Sequence, residues 1–276
     1  MADGSRAVPT EEATLQPRIV TVDVSDGSWF TRERISMVAV LVVVLAVWEA
    51  AGRIVGTFFL PPPTSLVGAT RELVASGDLF RELAKSLQTL GVGYLFSALV
   101  GVGFGFVFGW YKLVGRVANP FINALYVVPV SALVPLVIVW FGLGIFPRIL
   151  VVFLFSVFEI LIASMNGVAN VDRTIVEVAR SFGVRSQWDM FRKIVFFNAL
   201  PFVFTGLRIG ASRAVKGMII GELLFAVTGI GGLIDKYSNA YRTDIVFVLI
   251  VVITLLGVAV NYLVQLLHAR IAPWNQ

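Results

Sequence analysis

Residues 35–51 read ISMVAVLVVVLAVWEAA, an almost wholly apolar run preceded by Arg32 and Arg34. A stretch of that length and composition, entered through basic residues, predicts a first membrane-spanning helix that starts on the cytoplasmic side. The rest of the chain agrees. Of its 276 residues 58% are hydrophobic and 14% charged, where soluble domains sit near about 45–50% and about 25%. The 25 glycines suit membrane helices, and the absence of cysteine excludes a disulfide scaffold and a thiolate zinc site. A net charge of +5 on so apolar a chain reads as membrane topology, not as a nucleic-acid footprint. Residues 1–30 are polar and mixed in charge, with no apolar core for a signal peptide. They are expected to form a disordered cytoplasmic tail ahead of a transmembrane domain over 31–276.

Working outward, Leu60-Pro61-Pro62-Pro63-Thr64 is a break no helix crosses, followed by a polar, weakly amphipathic stretch to about Leu83 on the far side. A second span is expected from about Lys85 to Trp110. It carries Gly101, Gly105 and Gly109 on one helical face, a spacing that favours close helix packing. The third, about Pro120 to Phe141, contains Pro129 and Pro135 and should be kinked or interrupted. The fourth, about Arg148 to Ala169, holds a single acid, Glu159; the fifth, about Pro201 to Val227, holds Arg208, Arg213, Lys216 and Glu222. The last runs to about Leu267 and ends at His268 and Arg270. The fold class is therefore all-α, a polytopic bundle of about six transmembrane helices with both termini on one side. Arg173, Arg180, Arg185, Arg192 and Lys193, between the fourth and fifth spans, mark that side as cytoplasmic.

Those bases belong to the one soluble-looking element, residues 172–199. Thr174 and Glu177 have the spacing of a capping box, so a helix should start at Thr174. Ile175, Val178, Ala179 and Phe182 would line its apolar face, and Gly183 stands where a left-handed residue would end it. Ser186 can cap a second helix with Trp188, Phe191, Ile194 and Val195 as its stripe. Such a pair suits either the lipid interface or a groove on a partner protein.

The charges of the fifth span also need partners. A basic residue at the bilayer centre costs about 2.5–3.5 kcal/mol on insertion scales, so Arg213 and Lys216 should face protein or water. At about 100° per residue they share a helix face. They could line a path for an anion, or pair with Glu222, Glu159 or Glu49. No phosphate-binding loop is present, and no cluster of ligating or nucleophilic side chains supports an enzyme. His268, the only histidine, stands at a helix end.

Several of these motifs together resemble the permease subunits of ATP-binding-cassette (ABC) importers, in the sulfonate, taurine and nitrate branch. They are Leu60-Pro61-Pro62-Pro63-Thr64, Trp140-Phe141-Gly142-Leu143-Gly144, Glu177-Val178-Ala179 with Gly183, Ala199-Leu200-Pro201, Gly206-Leu207-Arg208 and Gly221-Glu222-Leu223-Leu224. The resemblance covers roughly residues 35–270. It implies a type I (MetI-like) importer permease in the bacterial inner membrane. It also implies a second permease copy, two ATPase subunits that bind the ATP, and a solute-binding protein as partners; no cofactor or nucleic acid is implied. Glu177, Ala179, Gly183, Leu200 and Pro201 would belong to the EAA-type loop that couples to the ATPase, with Leu200-Pro201 marking the return into the membrane. Arg208, Arg213 and Glu222 match positions where that family often has the same residues, whereas Lys216 replaces a usual apolar residue and is the better candidate for a solute-facing difference; Arg213, Lys216, Glu222 and Glu159 are thus the candidate translocation path. An ion-gradient transporter is the competing reading, with Glu49, Glu159 and Glu222 as coupling acids. It would be expected to show an internal repeat, which is not visible here.

Overall fold

The computed structural model describes residues 28–225 and 228–271. The expected tail over 1–30 lies almost entirely outside them. Two compact units divide the chain, Met1–Val47 and Trp48–Gln276. The described part of the first is the N-terminal portion of α1 (Ser28–Val55).

The second unit contains α2 (Pro63–Ala75), α3 (Asp78–Trp110), α4 (Lys112–Val127), α5 (Val130–Phe141) and α6 (Ile145–Ala169). It continues with α7 (Arg173–Ser181), α8 (Gln187–Met190), a π-helical turn (Phe191–Val195), α9 (Phe196–Phe225), α10 (Gly229–Asn239) and α11 (Thr243–Ile271). Among the described residues five helical segments are long and apolar enough to cross a membrane, and α4 with α5 forms a sixth candidate bent by 89°. The interruption expected of the third span is thus present, and Pro129 is its cause. Val128, which precedes it, is forced into extended backbone at φ −61°, ψ 126°. Pro135 instead lies inside α5.

At the centre, α3 and α6 run parallel while α9 runs antiparallel to α6. The glycines fix this seam. A Cβ on Gly101 would stand 2.9 Å from Ile160, one on Gly105 2.5 Å from Ser164, and one on Gly109 2.6 Å from Val168. Gly167, Gly206, Gly210 and Gly217 make equally close approaches between α6 and α9. Without Cβ atoms the helices meet backbone to side chain, and the packing expected from the small-residue spacing is realised against α6. Ser97 and Ser156 cross the same seam, the Ser156 hydroxyl donating to Ser97 Oγ at 2.7 Å.

Each end of the bundle carries its own apolar cluster. At one end Leu73 and Ala69 of α2 pack with Leu79, Ile230, Leu233, Ile245 and Leu249. There Glu49 near the end of α1 accepts from the Thr64 backbone N–H at 3.1 Å and its hydroxyl at 2.8 Å, so an acid from another helix caps α2. At the other end Val168, Ala179, Met190, Val195 and Ala199 gather beneath Phe106 and Trp110.

Candidate functional site

The element over 172–199 departs from its expected form in two ways. The cap of α7 is Asp172, whose carboxylate accepts from the Thr174 N–H at 2.8 Å, so the helix starts at Arg173 and the Thr174–Glu177 box is not used. Asp172 is the stronger choice because its charge also meets the positive end of the helix. Accepting that N–H holds the Asp172 carboxyl below its usual range. The second helix is not separate either. From Gln187 the chain is helical without interruption through the π turn to Phe225. Leu200 and Pro201 therefore lie inside α9, and no break marks them as a point of return.

Gly183 behaves as expected. It takes φ +89°, its N–H donates to the Arg180 carbonyl at 3.0 Å, and the Val184 N–H donates to the Ala179 carbonyl at 3.1 Å. This pair of bonds is a Schellman closure. Ala179 is buried in the end cluster, and Glu177 is exposed. Of the expected apolar stripe, only Ala179 faces inward. Ile175, Val178 and Phe182 are exposed, Phe182 at 86%, as is Trp188. Beside them a groove of about 440 Å³ opens between the end of α3 and α8, lined by Phe106, Trp110, Tyr111, Trp188 and Phe191. Arg173, Arg180 and Arg185, in the same element, are exposed as well.

The charged residues of α9 separate into two places. Arg213 meets Glu159 of α6 at 3.0 Å, and Tyr126 of α4 donates its hydroxyl to the same oxygen, Oε1, at 3.1 Å. These three side chains line a chamber of about 350 Å³ at the α4–α5 break, together with Ser131, Pro129 and Phe158. Glu159 sits in the wall with 15% of its side chain exposed, while Arg213 is 48% exposed. Lys216 lies one turn further along the same exposed face and makes no ion pair among the described residues. Neither Glu222 nor Glu49 is a partner of either base; Glu49 pairs with Arg53.

Glu222 is elsewhere, fully buried where α3, α9 and the start of α10 meet. Its Oε2 accepts from the Ser86 hydroxyl at 2.8 Å and the Gly231 N–H at 3.0 Å. Glu82 of α3 accepts from the Gly229 N–H at 2.8 Å and from Lys85 at 2.8 Å, and Ser86 accepts from the Ile230 N–H at 2.9 Å. Thr228, which precedes α10, takes a hydrogen bond from Arg148 of α6. Two acids and a serine thus receive the first amides of α10, where a helix presents unsatisfied donors and partial positive charge. The structure places Glu222 against Ser86 and the start of α10 and does not bring it to Arg213 or Lys216. Tyr126 and Ser86 had no signal in the sequence beyond their place on apolar spans.

Comparisons with known proteins fit this architecture. Residues 98–273 match the family described as binding-protein-dependent transport system inner membrane component. The chain is 34% identical over 234 residues to the putative aliphatic sulfonates transport permease protein SsuC of Escherichia coli K12, covering 84% of this chain and 89% of that one. It is 27% identical to the taurine transport system permease protein TauC of the same organism, covering 86% and 89%. Its backbone is similar to a chain of the MetNI methionine ABC transporter in an inward-facing conformation, with TM-score 0.56 and 17% identity over 69% of this chain and 96% of that one. The chain therefore belongs to the binding-protein-dependent transport system inner membrane component family, as a multi-pass, non-catalytic ABC transporter permease of the MetI-like fold.

Proposed function

We propose that this permease is one half of the membrane pore of an ATP-driven importer for a small organic anion of the sulfonate type. Two copies would pair, two ATPase subunits would dock on the end bearing α7, and a solute-binding protein would deliver solute to the opposite face. The termini and α7 would then be cytoplasmic, consistent with Arg173, Arg180, Arg185, Arg192 and Lys193 at that end. The observation that carries the docking is α7 itself. It is a capped and closed helix whose Ile175, Val178 and Phe182 lie exposed, joined through the α8 segment and π turn to α9. A partner that grips α7 pulls on α9, and alternating access follows from that attachment.

The solute class rests on two supports. The relatives named above are a sulfonate and a taurine permease. Arg213 opens into a chamber at a helix break and Lys216, one turn on, is exposed with no ion pair among the described residues; a positive wall lowers the cost of passing negative charge through a low-dielectric path.

Co-purification tests the first part. Proline cannot adopt the φ of +89° found at Gly183, so Gly183→Pro is expected to lose the ATPase subunits while the permease still inserts. A complex that persists would remove residues 172–199 as the dock. Uptake of methanesulfonate and taurine by the assembled system tests the second part. Lys216→Met is expected to lower the rate or raise the half-saturating concentration, and unchanged transport in a normally assembled complex would remove Lys216 from the path.

A further inference from the structure

The Tyr126–Glu159–Arg213 cluster does more than offer a positive charge to the chamber. Resting on the reading that an anion passes Arg213, we propose that Glu159 is the solute's internal competitor: its carboxylate holds the guanidinium until an incoming anion takes it away.

Three features carry this. First, the ion pair is asymmetric. The carboxylate is set into the wall and the guanidinium reaches the open chamber, so the exposed partner is the one a solute would use. A sulfonate or carboxylate presents the same oxygen acceptors to Arg213 that Glu159 does, and the exchange replaces like with like. Second, Arg213 is already satisfied while the pair is closed. An unpaired guanidinium in a half-buried cavity would trap an anion; one already satisfied holds it weakly, and a transit site must release what it binds. Third, Glu159 keeps a partner when Arg213 leaves. Tyr126 donates to the same Oε1, so the carboxylate in the wall is never left without a hydrogen bond. Tyr126 is also the penultimate residue of α4, immediately before the 89° elbow, so the exchange is felt where the chain is bent.

The chain has no cysteine, so Ser131→Cys places a single thiol on this subunit in the chamber wall. In the full transporter in lipid nanodiscs, its alkylation by N-ethylmaleimide is followed against methanesulfonate, and the concentration giving half-protection is read. Adding Glu159→Gln is expected to lower that concentration roughly fivefold, the size of a partly solvated ion pair. Tyr126→Phe is expected to raise it two- to threefold, about the worth of a weak hydrogen bond, because the displaced carboxylate then has no donor. Unchanged or raised half-protection in Glu159→Gln overturns the competition. If that variant does not assemble, unchanged or lowered half-protection in Tyr126→Phe does the same. Arg213→Met separates the two levels: loss of protection upholds the anion path whatever Glu159 does, whereas protection equal to the parent's removes the path and the competition with it.

Discussion

Replacing Gly105 with alanine isolates the contact on which the bundle is built. A Cβ there would stand 2.5 Å from Ser164 Cβ and 2.8 Å from the Leu161 carbonyl oxygen, where ordinary contact begins at 3.4 Å. The shortfalls are 3.4 − 2.5 = 0.9 Å and 3.4 − 2.8 = 0.6 Å. Cβ and the carbonyl oxygen are both fixed by the backbone, so no rotamer change relieves either and α3 must move off α6 by up to about 0.9 Å. The neighbouring approaches at Gly101 and Gly109 would then loosen together. Overpacking of this kind costs about 1–3 kcal/mol. Gly103 is two residues away on the same helix with nothing within 4 Å of its added Cβ. There alanine should be neutral or stabilising by up to about 1 kcal/mol, since it restores helix propensity without a clash. Thermal unfolding of the purified permease in detergent, followed by circular dichroism, compares the two. Gly105→Ala should unfold at clearly lower temperature than the parent and Gly103→Ala should not. Equal behaviour of the two variants, or an unchanged midpoint for Gly105→Ala, would refute the idea that α3 and α6 meet through their glycine face.

Glu222→Gln should be tolerated, because an amide oxygen can accept from Ser86 and Gly231. Glu222→Ala should cost about 2–4 kcal/mol in the same unfolding measurement, since it leaves two buried donors unpaired. Tyr94 donates its hydroxyl to the Leu207 carbonyl at 2.8 Å across the α3–α9 contact, and Tyr94→Phe should destabilise by about 1 kcal/mol. The pH response of α7 follows from Asp172. Its carboxyl is held below 3.8 by the Thr174 N–H, so the cap is fully present above that value and is lost as pH falls through the lower folded value. Amide exchange corrected for intrinsic rate should therefore show α7 unprotected only in strong acid, whereas Asp172→Ala should lose protection several-fold already at neutral pH.

Periodicity and glycine spacing carried most of the architecture, because both depend on residues close in sequence. The Gly101–Gly105–Gly109 face, the left-handed stop at Gly183 and the interruption near Pro129 were legible for that reason. Choices between equivalent local signals were not. Thr174 and Asp172 both qualify as caps, and only the backbone path decides for Asp172. Ser186 to Pro201 carries a serine, a proline and polar residues that read as a separate helix and a return, yet a π turn absorbs the change of face and the helix runs on. Long-range partners were hidden altogether. Glu159 and Glu222 are both single acids on apolar spans. Their opposite placements follow from Tyr126, 33 residues from Glu159, and from Ser86, 136 residues from Glu222.

The unbroken path from α8 into α9 sets a mechanical ratio. Arg213 lies 22 residues beyond Phe191, or about 33 Å along the axis at about 1.5 Å per residue. Rotating that rod by about 5° around the π turn sweeps the guanidinium through roughly 3 Å, a hydrogen-bond length. A movement too small to disturb the aromatic groove at one end is therefore large enough, at the other, to decide which oxygen Arg213 holds.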